Sequence, residues 1–280
     1  NPTIADIISQ VSLDSLVKHV RILSGEDTVT IDGQKQLITN RISNASQSET
    51  YGHKLSVKYL KNTLSTYCTD VIEQTFPFRD DTIRNIIGIQ EGKSYPDKKI
   101  IISGHYDSIL WNKTDTLAPG ANDNASGTSV VLEAARLINQ VATEYTVYYM
   151  LWDWEEEGCV GSDYFVFNDT ARTDLIGMIC LDMIGYDILD SGAVDVFCEE
   201  GDNPLTEIAT NIDSIYDIGL ILKLWDINGP SDTTPFGFID DYCKTLLFIE
   251  RHWKYQHKYK YYHTVNDKIE YFNLNYFHKI

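Results

Sequence analysis

Cysteine is scarce and scattered in this sequence of 280 residues. The five cysteines are Cys68, Cys159, Cys180, Cys198 and Cys243, and no two of them have Cys-x-x-Cys spacing. Such a set is too sparse for the disulfide framework of a small secreted domain and lacks the spacing of a zinc-binding motif. We therefore expect free thiols, most of them buried.

Long apolar runs and positive charge are also missing. No apolar stretch approaches the roughly 20 residues that a membrane-spanning helix needs, so no membrane span is expected. The formal charge is -18 with a pI near 4.6, which disfavours nucleic acid as a partner. The one basic and aromatic segment, RHWKYQHKYKYYH at 251–263, is predicted to be a loop or a solvated face.

The sequence also contains no repeat and no Pro/Gly/Ser-rich linker, so residues 1–280 are predicted to form one domain. Residues 1–66 supply N-terminal helices that pack on it, from helical spacing in Ile4–Leu23 and Gly52–Leu64. From residue 71 onward, short β-rich segments appear and then alternate with helical ones. This pattern predicts an α/β fold, a single-domain three-layer α/β/α sandwich with a mixed, mostly parallel central sheet.

Metal-type and acidic side chains recur where predicted strands end. They are His105 and Asp107 in SGHYDS, Asp153, Glu155, Glu156 and Glu157 in WDWEEEG, Asp182 in CLDMIG and Glu250 in FIE, with Asp123 and His263 in two loops. Ligands of open α/β sheets bind beyond the carboxyl ends of the strands. A site is therefore predicted at that edge of the sheet.

The three adjacent glutamates need a positive partner, because buried carboxylates repel and are costly to desolvate. A divalent cation bound by Glu156, with Glu155 beside an attacking water, would give the carboxylates separate tasks. The two-residue spacing lets Asp107 orient the His105 ring. A charged turn for the glutamates and a helix cap for Asp123 are the alternatives that each motif leaves open when taken singly.

Six blocks in order, SGHYDS, APGANDNASG, DWEEEGCVGS, CLDMIG, SDTTPF and YYHTVND, resemble the di-zinc aminopeptidase and glutamate carboxypeptidase family, metallopeptidase family twenty-eight, which includes bacterial leucyl aminopeptidases. The resemblance covers most of the chain from about Asn85. It implies a zinc exopeptidase fold, two zinc ions per chain and a peptide substrate. It also implies a cis peptide bond between Asp123 and Asn124.

The residue roles implied by the resemblance are specific. One zinc is expected on His105 and Asp182, the other on Glu156 and His263, and Asp123 is expected to bridge them. Glu155 is the expected general base, Asp107 the orienting partner of His105, and Tyr262 a donor to the oxyanion. Apart from the resemblance, Met183, Phe236 and Phe238 are candidates for an apolar substrate pocket, although aromatic residues lie in a core more often than in a pocket. The threonine at 233, where many relatives have histidine, is expected to alter substrate contacts only.

Several readings stay open at this point. A glutaminyl cyclase with one zinc and a non-catalytic module like the transferrin receptors share the fold, whereas the short segment between His105 and Asp123 leaves no room for an inserted lid domain. An acidic site suits a peptide ammonium, and the only arginine after Asp182 is Arg251, so an aminopeptidase is favoured over a carboxypeptidase. An extracytoplasmic location is expected from the resemblance alone.

Overall fold

The computed structural model describes residues 2–43, 49–198, 203–227, 229–238, 243–251 and 258–280. The helices are α1 Pro2–Ser9, α2 Leu13–Leu23, α3 Tyr51–Leu64, α4 Ser126–Ile138, α5 Val160–Asn168, α6 Pro204–Tyr216 and α7 Leu274–Lys279. The strands are β1 Val29–Ile31, β2 Gln34–Gln36, β3 Asp70–Phe78, β4 Asp81–Gln90, β5 Tyr95–His105, β6 Tyr145–Trp152, β7 Leu175–Asp182, β8 Ala193–Cys198, β9 Ile221–Asp226 and β10 Lys244–Glu250.

Eight strands form the central sheet, in the order β3-β4-β6-β5-β7-β10-β8-β9. Strand β5 runs parallel to β6 and β7, β7 runs parallel to β10, and β8 runs parallel to β9. The pairs β3–β4, β4–β6 and β8–β10 are antiparallel. Four of the seven strand pairs are parallel, so the sheet is mixed and mostly parallel, as predicted.

Both faces of the sheet are covered, because its central strands are apolar on both sides. On one face, Leu60 of α3 and Leu132 of α4 share a buried cluster with Tyr149 of β6. On the other, Phe165 of α5 joins a second cluster with Met178 of β7. Burying an aliphatic or aromatic side chain contributes about 1.5–3 kcal/mol, so the two clusters hold the three layers together and confirm the predicted α/β sandwich.

The N-terminal region differs in detail from its prediction. The segment Ile4–Leu23 was expected to be one helix, but Ser12 divides it into α1 and α2 because its backbone is extended and its side chain accepts a hydrogen bond from Ser15 N. The hairpin of β1 and β2 was not predicted. Asp32 and Gly33 both have positive φ, 52° and 76°, and Asp-Gly is a sequence signal for this turn.

The structure also describes the cysteines, the lengths of the helices and part of the basic segment. All five cysteines are free thiols. Within the described residues, no helix has the length and apolar character that crossing a membrane would require. Of the basic segment 251–263, residues 252–257 lie outside the described part of the chain, and the stretch 258–263 forms turns without helix or strand.

Candidate active site

The candidate site lies where three adjacent parallel strands end. Strand β5 ends at His105, β7 ends at Asp182, and β6 leads into the turn that carries Glu155 and Glu156. Because β6, β5 and β7 are neighbours in the sheet, their carboxyl ends meet at one edge. The short helical turn Ala121–Ala125, which contains Asp123, and the turn at His263 complete the site.

Two groups of ligand-type side chains share Asp123. The first consists of His105, Asp123 and Asp182, and the second of Asp123, Glu156 and His263, each with ligand atoms within 4.8 Å of one another. His105 Nε2 lies 3.3 Å from Asp123 Oδ1 and 3.4 Å from Asp182 Oδ1. His263 Nε2 lies 3.0 Å from Asp123 Oδ2 and 2.9 Å from Glu156 Oε2. Asp123 thus stands between the two imidazoles.

These atoms are close together without being hydrogen-bonded. His105 Nε2, Asp123 Oδ2, Asp182 Oδ1 and His263 Nε2 are buried and have no hydrogen-bond partner in the described part of the chain. Buried polar atoms are normally paired, and an unpaired one costs about 1–3 kcal/mol. Convergent nitrogen and carboxylate oxygen atoms without partners fit a site for cations such as zinc.

Asp107 ties the two halves of the site together. Its carboxylate lies 3.3 Å from His105 Nδ1. It also accepts hydrogen bonds from the backbone amides of Glu155, at 3.2 Å, and Glu156, at 3.3 Å. Asp107 therefore orients the imidazole of His105, as the spacing predicts, and also fixes the start of the glutamate turn, which the sequence did not indicate.

The loop that carries Asp123 is held by groups far away in sequence. Asp267 accepts hydrogen bonds from Asn122 N at 2.8 Å, Asp123 N at 3.1 Å and Tyr259 Oη at 2.8 Å. Asn124 donates to Leu181 O at 2.9 Å. The peptide bond between Asp123 and Asn124 is cis, as the resemblance implies.

Arg41 also holds the loop that carries Asp123, through hydrogen bonds to backbone carbonyls. Its fully buried guanidinium donates to the carbonyl oxygens of Tyr106, Leu23, Pro119 and Gly120 at 2.6–2.8 Å. Sequence reasoning missed Arg41, because nothing in its neighbourhood distinguishes it from a surface arginine. It also left Asp267 unassigned, although this residue ends the quoted block YYHTVND.

The site gathers more carboxylates than its two imidazoles can neutralise, and the pKa values of its groups shift accordingly. Burial raises the pKa of Glu156 to about 8, with Asp123 adding to the rise and His263 opposing it. Burial likewise holds the pKa of Glu155 well above its ordinary range against the opposing charge of His105. Burial lowers the pKa of His263, but Glu156 and Asp123 outweigh it and raise the value to about 10. This imbalance favours a bound cation.

The imbalance predicts how the metal-free protein responds to pH. Glu156 binds its proton up to about pH 8 in the folded state but only up to about 4.5 when unfolded, so the folded state binds more protons between these values. Stability conferred by this proton is present below the lower value and is lost as the pH rises through about 8. His263, with its pKa raised to about 10, acts in the same direction.

We therefore expect the Tm of chelator-dialysed protein to fall by about 5 °C or more between pH 6 and pH 9. Added zinc should reduce the difference, because a cation replaces the protons. Thermal unfolding monitored by circular dichroism at both pH values, with and without zinc, measures it. A metal-free Tm that stays constant or rises with pH contradicts this account.

A cavity of about 240 Å³ opens over the two groups. Met183, Pro230 and Ile249 form its apolar wall, Tyr262 lines it beside His263, and Lys258 and Tyr259 also line it. The Tyr262 ring stacks on that of His263 with centroids 3.6 Å apart, and the ring of Trp111, which is 68% exposed, has its centroid 4.6 Å from that of His263. The sequence did not indicate Trp111.

Two pocket assignments need correction. Phe236 is buried in the core, 1% exposed and in contact with the Trp152 and Phe165 cluster, and is not among the cavity's described lining residues. Phe238 is 73% exposed and is likewise absent from the lining. Aromatic residues spaced by two along a short helical turn cannot share one wall, so one turned inward and the other outward.

The SDTTPF block also carries a buried carboxylate, Asp232. Thr233 is buried, its hydroxyl donates to Gly229 O at 3.4 Å, and it is not among the cavity's described lining residues. Asp232 is fully buried beside the site and accepts a hydrogen bond from Ser162 Oγ at 2.6 Å. Burial raises its pKa to about 7, with the charge of His105 opposing the rise.

Comparison with known proteins gives the family. The description Peptidase family M28 matches residues 85–280. The chain belongs to peptidase family M28. This M28 chain is 31% identical over 233 residues to a protein of Pyrenophora tritici-repentis named "Probable zinc metalloprotease", covering 76% of the chain and 52% of that protein. It is 33% identical over 207 residues to "Leucine aminopeptidase 1" of the same organism, covering 68% of the chain and 51% of that protein.

The M28 chain spans about half the length of these two relatives. Among solved structures, LapB from Legionella pneumophila superposes with a TM-score of 0.76 at 19% identity, over 99% of the chain and 71% of LapB. A glutaminyl cyclase from Porphyromonas gingivalis superposes with a TM-score of 0.71 at 20% identity, over 96% of the chain and 94% of the cyclase. At such low identity these structures establish the fold alone.

Proposed function

We propose that this M28 chain is an aminopeptidase that uses two zinc ions to hydrolyse the first peptide bond of a substrate. The observation that carries the proposal is the pair of ligand groups sharing Asp123, with Glu155 beside them. His105 and Asp182 would hold one ion, and Glu156 and His263 the other. Asp123 would serve both.

The charge of the site supports two ions. Asp123, Glu155, Glu156 and Asp182 carry four negative charges when ionised, which two divalent cations neutralise while the imidazoles stay neutral. When bound, a pair of zinc ions lowers the pKa of water and polarises the scissile carbonyl. The name "Probable zinc metalloprotease" of one relative supports zinc as the metal.

Glu155 would move the proton. Its Oε2 lies 3.8 Å from His105 Nε2, and its Oε1 lies 3.7 Å from the Cys159 thiol. Burial and the neighbouring carboxylates of Asp182 and Glu156 favour its protonated form, whereas His105 opposes them. A carboxylate with a raised pKa accepts a proton from the attacking water and passes it to the leaving amine. Tyr262, on the cavity wall, would donate to the oxyanion.

The site favours a peptide N-terminus over a C-terminus. Its carboxylates suit a substrate ammonium, and the apolar wall of Met183 and Ile249 suits an aliphatic first side chain. Arg251, the arginine that a carboxypeptidase would need, already donates to Asp195 Oδ1 at 2.6 Å. The name "Leucine aminopeptidase 1" of a relative agrees with this preference.

The test is hydrolysis of a panel of aminoacyl anilides, with and without a chelator, alongside metal analysis. We expect turnover that the chelator abolishes and zinc restores, with about two zinc ions per chain. Turnover that resists the chelator contradicts a metallopeptidase. One tightly held zinc, together with formation of pyroglutamate from an N-terminal glutamine, would instead establish the cyclase activity.

A further inference from the structure

A buried ion-pair network contacts the turn at residues 154–159, which carries Glu155 and Glu156 and is called the glutamate turn below. At its centre is His53 of α3, whose side chain is fully buried. Its Nε2 lies 2.9 Å from Asp153 Oδ1, and its Nδ1 lies 3.2 Å from Glu49 Oε1. Asp153 is also fully buried, and it directly follows the last residue of β6.

The groups of the network have partners of opposite charge. Burial alone would lower the pKa of His53, but Asp153 and Glu49 outweigh it and raise the value to about 9. Arg84 supplies the second cation, with its Nε 3.0 Å from Glu49 Oε1. Arg84 Nη1 also lies 2.8 Å from Glu73 Oε1, and Lys54 Nζ lies 3.6 Å from Glu49 Oε2. Burial raises the pKa of Asp153, and the charge of His53 opposes that rise. Each buried charge of the network therefore has a partner of opposite sign, the arrangement in which buried charges are tolerated.

Asp153 connects this network to the catalytic turn. Its Oδ1 accepts a hydrogen bond from Trp154 N at 3.0 Å, and its Oδ2 accepts one from Arg84 N at 2.9 Å. Its backbone carbonyl accepts one from Gly161 N at 3.0 Å. The side chain of Asp153 thus fixes the beginning of the turn, and its backbone carbonyl fixes the end.

The turn needs such fixing, because its backbone is not one that its residues prefer. Trp154 and Cys159, which flank the segment from Glu155 to Gly158, both have φ of 58°. Residues other than glycine seldom adopt this left-handed region. Without firm anchors the turn would relax, and Glu155 and Glu156 would move with it.

His53 also contacts the other half of the site. Its ring lies 5.2 Å from that of Tyr106, which stands between His105 and Asp107 in the chain. The Tyr106 hydroxyl donates to Arg84 O at 2.9 Å. One buried imidazole therefore supports both segments that place the groups around Asp123.

We propose that His53 is a positioning residue, which through Asp153 holds Glu155 and Glu156 in their working places. The inference rests on the proposed peptidase function and assigns a role in it to the N-terminal region, since His53 lies outside the family match at 85–280. The protonated His53 ring holds the Asp153 carboxylate in place, and that carboxylate holds the first residue of the turn. The turn then sets the positions of Glu155 and Glu156.

The experiment compares His53→Gln, Asp153→Asn and the double variant in the zinc-loaded chain of 280 residues. For each variant, kcat and KM on an aminoacyl anilide, zinc per chain and Tm are measured. We expect kcat to fall about 10–100-fold, the range seen when partners that orient a site's groups are removed. KM should change little, and the double variant should lose no more than the worse single variant, because both substitutions break the same link.

A matched control is His19→Gln. His19 is another buried histidine, its Nδ1 2.6 Å from Tyr59 Oη within the N-terminal helices. It should lower Tm and leave kcat unchanged. Glu49→Gln, which alters the network at its partly exposed end, keeps the test decisive if the buried variants fail to fold, and it should lower kcat in the same direction by a smaller factor.

A purely structural role gives a different result. The His53, Asp153 and Glu49 variants would then have lower Tm values but wild-type kcat per folded, zinc-loaded chain, and this outcome overturns the proposal. Failure of the proposed function is separate, because it would appear as absence of zinc-dependent turnover in the wild-type protein.

Discussion

Replacing Glu155 with glutamine should lower kcat by about 10²–10⁴-fold, the usual contribution of a general acid–base group. Glutamine keeps the size of the side chain but cannot take a proton from water. Glu155 is outside the two ligand groups that share Asp123, so zinc content should remain that of the wild type. KM should also change little, because the substitution removes a step in the chemistry and not a binding contact.

The measurement is steady-state kinetics on a leucyl anilide with zinc analysis of the same sample. Glu157→Gln is the matched control, since it removes a carboxylate from the same turn that belongs to neither ligand group and should leave kcat within about twofold of the wild type. A Glu155→Gln enzyme with full turnover and full zinc content would show that another group moves the proton.

The convergence of the candidate ligands was predictable because it depends on local pattern and topology. Apolar strands that end in His105 and Asp182 can be recognised from sequence, and parallel neighbours place their carboxyl ends at one edge of a sheet. Asp123 and His263 lie on loops, where spacing alone leaves a helix cap or a surface turn equally open. The resemblance of the six ordered blocks identified those two residues as candidate ligands. In the structure, His263 Nε2 lies 3.0 Å from Asp123 Oδ2.

The supporting groups were not predictable, because their roles depend on partners far along the chain. The Arg41 guanidinium donates a hydrogen bond to the carbonyl of Gly120, and the Asp267 carboxylate accepts hydrogen bonds from the backbone amides of residues 122 and 123. Nothing near either residue in the sequence identifies such a partner. His53 is similar, since its partner Asp153 is 100 residues away. The assignment of Phe236 to the substrate pocket was wrong because sequence alone does not separate the two places, and aromatic residues lie in a core more often than in a pocket.

The second large effect concerns Asp123. Asp123→Asn should lower kcat by about 10³-fold or more, because metal assistance contributes several kcal/mol to such reactions and each 1.4 kcal/mol is tenfold in rate. The carboxylate lies 3.3 Å from one imidazole and 3.0 Å from the other. A neutral amide offers one oxygen in place of two and removes the charge that both ligand groups share.

The fold should survive this change. The loop is held by the backbone amides of Asn122 and Asp123 on Asp267 and by Asn124 on Leu181 O, none of which involves the Asp123 side chain. Circular dichroism and Tm in zinc-free buffer should therefore show a folded protein. Loss of activity with a wild-type fold would then be a property of the site and not of the chain as a whole.

Comparison with variants of a single group identifies Asp123 as the shared residue. Asp182→Asn and His263→Gln each alter one ligand group, so each should weaken one zinc and leave about one per chain after dialysis against buffered zinc. Asp123→Asn should weaken both and retain less zinc than either. If it binds two zinc ions as tightly as the wild type, or turns over at the wild-type rate, Asp123 does not join the two groups, and the proposed pair of ions has no common ligand.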